Sequence, residues 1–166
     1  SIYRGETKPH VFTWVAFALL DAIVFAAQVT HGAGPGAWAI ALGTTMCAIV
    51  AVASIKVGHL KIKPGDWVAF AGALIGIALW AITSDPLYAV VLAALVNLIA
   101  IYPTARKSYE HPESESTTVW SIDIFRYLCS IAALDTVSLT TALFPAAIVF
   151  GNSALVLIIL IRRRRA

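Results

Sequence analysis

Residues 141–165 read TALFPAAIVFGNSALVLIILIRRRR, twenty-one residues without a charge followed by four arginines. A bilayer core about 30 Å deep is crossed by roughly 20 apolar residues, because a helix rises about 1.5 Å per residue. The stretch 141–161 is therefore predicted to span a membrane, and the arginine run marks the side on which it ends. Working back along the chain, five further stretches fit or nearly fit the same template: 11–30, 37–55, 66–83, 87–104 and 117–135. Turn formers separate them, as HGAGPG at 31–36, KVGHLKIKPG at 56–65, SDP at 84–86 and ARKSYEHPESES at 105–116. The fifth break, Asp135 to Thr140, is polar but holds neither Gly nor Pro.

Composition points the same way. Hydrophobic residues make up 60% of the 166-residue chain and charged residues 13%, against about 25% charged in an ordinary soluble domain. Too few polar side chains remain to coat a water-soluble particle, so lipid is the expected solvent for most of the surface. Cys47 and Cys129 both fall in apolar stretches with no CxxC or Cys/His context, so packing roles are expected and no metal or cofactor is implied. No cleavable signal peptide is visible.

The basic residues are sorted by side. With Ser1 on one side, alternation brings segments 1–10, 56–65, 105–116 and 162–166 to that side, and these hold eleven of the twelve Lys and Arg residues. The opposite loops, 31–36, 84–86 and 135–140, hold none, and Arg126 lies inside a span. The positive-inside rule makes the basic side, with the C-terminus, cytoplasmic. The net charge of +3 is then a matter of topology, and nucleic acid is not an expected partner.

An internal repeat is faint in identities and clearer in hydropathy. Sliding residues 1–57 onto 107–163 sets Tyr3 on Tyr109, Trp14 on Trp120 and Thr30 on Thr136, while Lys56 falls on Arg162. Both copies start on the same side, so the repeat is parallel, about an axis along the membrane normal. The second copy is preceded by span 87–104. The first has no such helix, because the chain opens inside a loop, and symmetry predicts one upstream of Ser1. The expected architecture is an all-α bundle of three helices, a linker helix and three helices, seen without its first. Residues 1–57 form the partial first repeat, 58–84 the linker and 85–166 the second repeat with its basic tail.

The loop at Ile101–Ser116, IYPTARKSYEHPESES, carries a resemblance. Its Pro103, basic patch and Ser-rich approach to the next helix resemble the PQ-loop superfamily, which includes SWEET sugar facilitators, cystinosin-like amino-acid exporters and the KDEL receptor. Ser1–Thr13 looks like the tail of the same motif in the first repeat. Thr104 stands where the family's Gln follows the Pro. The resemblance implies a transporter-like bundle without naming a substrate.

Polar groups inside apolar spans need partners or a function. Asp21, Asn97, Arg126 and Asn152 fall on four different spans at nearly one depth, where transporter folds place their substrate. Asp21 and Arg126 sit in repeat-related helices and are expected either to bind each other, as a gate or a fixed structural pair, or to hold a zwitterionic or acidic solute. Asp21 is alternatively a proton-coupling carboxylate. Asp123, one turn before Arg126, is a competing local partner. Asn152 lies near the position where the resemblance implies a substrate-binding Asn, and its counterpart in the first repeat is Met46, so a symmetric Asn pair is absent. For Asn97 interhelical hydrogen bonding is the plainer role. Gln28 and Asp135 are expected to be solvated near the outer surface. Pro103 and Pro145 are candidate hinges or plain kinks. The arginines at 162–165 read as a stop and lipid-headgroup anchor.

The four histidines lie in or beside loops, and no hydrolase, zincin or phosphate-loop pattern is present, so no enzymatic activity is expected. The function expected is transport of a small polar solute, sugar or amino-acid-like, across the plasma (inner) membrane by alternating access. The alternative is a non-transporting scaffold, receptor or accessory subunit of a larger membrane complex. Lipid, a small solute and either copies of itself or a larger complex are the expected partners.

Overall fold

The computed structural model describes residues 11–57 and 64–164. They form six α-helices and no strand: α1 (Val11–Thr30), α2 (Trp38–Val57), α3 (Pro64–Thr83), α4 (Leu87–Glu110), α5 (Thr117–Ala132) and α6 (Leu139–Arg163). Each coincides with one of the apolar stretches. Three helices are long and apolar enough to cross a membrane, the one within Gly34–Ala53, α4 and α6. Shorter apolar stretches run Trp14–Thr30 and Phe70–Thr83. α5 is different, with 16 residues, a length of about 24 Å at 1.5 Å per residue. The segment 1–10, which carries the start of the expected first repeat, lies outside the described residues, as does 58–63.

The α6 end of the 135–140 break is set by capping rather than by Gly or Pro. Ser138 is the N-cap of α6 and accepts from the Thr141 amide (3.3 Å), while the Thr141 hydroxyl accepts from the Ser138 amide (2.9 Å). This reciprocal box satisfies two groups that a helix start otherwise leaves unpaired. As a result α6 begins two residues earlier than hydropathy suggests; α5 ends three earlier, at Ala132. At the α3–α4 turn, the Asp85 carboxylate accepts from the Leu87 amide (2.9 Å) and opens α4 in the same manner.

α1 packs against α2, α3 and α4; α6 packs against both α4 and α5; and α1 also touches α6. Small side chains allow these approaches. Ala16, Ala27, Ala89 and Ala93 are buried in the central core with Val24 and Val90. On α3, Gly72 and Gly76 face Val96 and Ala89 of α4, and a Cβ at Gly72 would lie 2.6 Å from the Val96 side chain. Packing of this type stabilises helices in lipid, where no hydrophobic force drives them together. The outward faces are strongly apolar. Phe125 and Phe150 are 68% and 70% exposed, and Ile82, Ile122 and Leu157 point outward with them. A surface of this kind suits lipid and not water.

At one end of the bundle, loops 31–37 and 133–138 are laced together. The Asp135 and Thr136 amides donate to the carbonyls of Ala33 and Gly32 (3.2 and 3.1 Å). The Ser130 hydroxyl donates to the Gly36 carbonyl at 2.6 Å. Gly34 has φ +58°, and a Cβ there would overlap the Asp135 carboxylate, so only glycine fits. Beneath this lid Gln28 is fully buried and donates to the Thr141 carbonyl at 2.9 Å. That corrects the expectation of a solvated Gln28, because both loops fold over it. Asp135 is exposed, as expected. Pro145 is buried inside α6, which continues through it. α4 likewise runs through position 103, while the Pro103 side chain lies outside the described residues.

At the other end, Arg162 and Arg163 fold onto the loop between α4 and α5. Arg162 donates to the Tyr109 carbonyl (3.0 Å) and lies 4.2 Å over its ring. Arg163 donates to the carbonyls of Pro112 and Glu115 and pairs with Glu113 at 3.3 Å. The first two arginines of the run thus have partners within the protein.

Candidate functional site

Two adjoining cavities occupy the middle of the bundle. The larger, about 300 Å³, lies among α1, α2, α4, α5 and α6, and the smaller, about 180 Å³, among α1, α4, α5 and α6. Phe17, Asn97, Asp123 and Ile148 belong to the walls of both, so the two form one two-lobed space. Asp21 and Arg126 line the larger lobe, Asn152 the smaller and Asn97 both. The four polar residues selected for their shared depth are therefore brought together. No residue of the laced loops lines either lobe.

A charged triad crosses the shared wall. Arg126 Nη2 lies 2.7 Å from Asp123 Oδ1, one turn earlier on α5. The other Asp123 oxygen accepts from Asn152 Nδ2 of α6 at 2.8 Å. Arg126 also lies 4.6 Å over the Tyr127 ring. Of the two partners the sequence offers Arg126, the structure thus selects Asp123. The reason is helical geometry: residues three apart on one helix are neighbours, and Asn152 holds the carboxylate in place. Arg126 and Asp123 remain 29% and 31% exposed, into the cavity, so their desolvation is partial.

Asp21 has no ion pair among the described residues. The Cys47 thiol on α2 donates to its Oδ2 at 3.9 Å. Arg126 in turn keeps spare donors, and its buried Nε has no partner among the described residues. A carboxylate without a cation and a guanidinium with an unpaired Nε, both among the described residues, line the same lobe.

Four residue pairs separated by 106 positions line the cavity. Trp14 and Trp120, Phe17 and Asp123, Asp21 and Tyr127, and Met46 and Asn152 are related by the offset of 106, and all eight line the two lobes. Five of the eight are apolar or aromatic. Sequence reasoning missed Phe17, Cys47, Tyr127 and Gly43, since such residues are unremarkable inside an apolar span. The offset of 106, which sets Tyr127 against Asp21, is the sequence feature that pointed toward it.

Comparison with protein-family models, with curated proteins and with solved structures found no match.

Proposed function

We propose that this chain is a membrane transporter of a small polar solute, and that the two-lobed cavity is its binding site. The observation that carries the reading is the convergence of Asp21, Asn97, Arg126 and Asn152, from four helices, on one space at the middle of an apolar bundle. Buried polar groups of this number are costly in lipid unless they serve each other or a ligand. Asp123, Arg126 and Asn152 serve each other in part, and Asp21 does not. The volume suits a solute of modest size.

On this reading all six helices cross the membrane, and the C-terminus is cytoplasmic in the plasma (inner) membrane. The bundle is a PQ-loop-like or SWEET-like arrangement of two parallel repeats joined by a linker helix. Two supports bear on the repeat. The repeat-related residues share the cavity, and the hairpins α1–α2 and α5–α6 are each closely packed. The two repeat units would rock about the cavity to give alternating access. The laced loops close the outer end, and the cavity walls extend toward Trp14, Thr104 and Trp120 at the other.

The test is solute uptake by proteoliposomes holding the full-length protein, with sugars, neutral and charged amino acids and small carboxylates. Saturable uptake that is lost in Asp21→Asn and Arg126→Gln is the expected result. No uptake across the panel, from protein shown to be folded, would overturn transport in favour of a scaffold or accessory subunit.

A further inference from the structure

Gly43 stands on α2 where three polar atoms converge. A Cβ at this position would lie 3.3 Å from Asp21 Oδ2, 3.8 Å from Arg126 Nη1 and 3.8 Å from the Tyr127 hydroxyl. Asp21 and Arg126 approach this point from different helices without forming an ion pair. The missing side chain leaves a slot with an unmatched carboxylate on one side and a guanidinium with a free N–H edge on the other. Arg126 cannot swing fully to Asp21, because Asp123 and the Tyr127 ring hold it.

Matching of both walls decides what such a slot accepts. A monocation would meet Asp21 and leave the N–H edge of Arg126 unserved, and a monoanion would meet Arg126 and face both Asp21 and Asp123. A neutral polyol would hydrogen-bond to both and neutralise neither. A group carrying an ammonium and a carboxylate one carbon apart meets both sides and adds no net charge. Phe17 and Phe144 supply apolar wall for the remainder of the molecule.

We infer that the slot at Gly43 selects amphoteric solutes of the α-amino-acid type, with the ammonium on Asp21 and the carboxylate on Arg126, and that Gly43 is the residue that sets its width. This inference rests on the transport reading for its physiological meaning, and on the slot geometry alone for its binding chemistry.

The test measures binding and uptake separately. L-alanine and L-leucine are titrated into the purified full-length protein beside L-alaninamide, N-acetyl-L-alanine and glycerol, and the same compounds are offered to proteoliposomes. At least one free amino acid is expected to bind about tenfold or more tightly than the three controls, as expected when a site built for two groups meets a ligand with one. Gly43→Ala fills the slot and should lose that binding, yet keep or raise the melting temperature, since Ala favours a helix over Gly. Tyr127→Phe removes one hydroxyl from the slot and should weaken binding without abolishing it, which covers the case in which Gly43→Ala fails to fold. Equal binding of a control, no binding by either amino acid, or unchanged binding in folded Gly43→Ala would each overturn the inference. Selective amino-acid binding without uptake would uphold the slot and sink transport. Uptake of another solute class alone would do the reverse.

Discussion

Gln28 donates its side-chain amide to the carbonyl of Thr141 at 2.9 Å, the carbonyl that Pro145, four residues further along α6, has no N–H to serve. A proline inside a helix normally leaves one acceptor orphaned. Here a buried glutamine from α1 fills the vacancy and ties the first hairpin to the last helix. Gln28→Leu should destabilise the protein by about 1–3 kcal/mol, the cost of a buried acceptor left unpaired. In a Pro145→Ala background the helix can serve Thr141 itself, and the same substitution should cost about 1 kcal/mol less. Unfolding in detergent, run as a double-mutant cycle, reads the difference; additive effects would show that Gln28 and Pro145 are unrelated.

The triad predicts a second non-additive pair. Asp123→Asn leaves Arg126 without its anion, and Arg126→Gln leaves Asp123 with Asn152 alone. Each should cost about 2 kcal/mol, below the 3–5 typical of fully buried pairs because both groups are partly open to the cavity. The double variant should cost clearly less than the sum. A sum that holds would mean that the pair contributes nothing to stability.

Gly34 offers a test of the laced loops. Gly34→Ala must bear a left-handed backbone and an overlap with Asp135, for a combined loss of about 2–3 kcal/mol. Adding Asp135→Ala removes the overlap and leaves the backbone cost of about 1 kcal/mol. Thermal melts of the two variants should therefore fall in that order, and equal melting points would refute the overlap.

Arg163 grips the 112–115 loop through two carbonyls and one carboxylate. Arg163→Ala should make cleavage at Glu113 or Glu115 by a glutamate-specific protease several-fold faster. Arg163→Lys should fall between, since an ammonium cannot reproduce the planar fork. Cleavage of inside-out vesicles, with right-side-out vesicles protected, is the result expected of a cytoplasmic C-terminus. The opposite pattern would invert the topology.

Much of this was legible in the sequence, for reasons that also explain the rest. Hydropathy located all six helices because each is an apolar run between polar turns. It misplaced the α5–α6 boundary because Ser138 and Thr141 act through capping geometry, to which a hydropathy average is blind. Depth along each span picked Asp21, Asn97, Arg126 and Asn152, since a polar residue is conspicuous against alanine and valine. It failed for Gln28, because distance along one helix says nothing of the loops that fold across its end. It could not rank Asp21 against Asp123 as the partner of Arg126, a choice made by rotamer and by Asn152 from another helix. Gly43 was invisible for a simpler reason: its role is the space it leaves.

The laced end also sets an order of events during synthesis. Gln28 and Thr141 are separated by 113 residues, and Ser130 and Gly36 by 94. While the ribosome is still making α3 and α4, α1 and α2 already exist, and the partners of Gln28 and of the Gly36 carbonyl do not. The newborn hairpin must keep a primary amide and a bare loop in waiting until α5 and α6 arrive. Closure of this end therefore waits for α5 and α6. A chain stalled or cut before α6 would be left with an unlatched bundle, whatever the quality of its earlier helices.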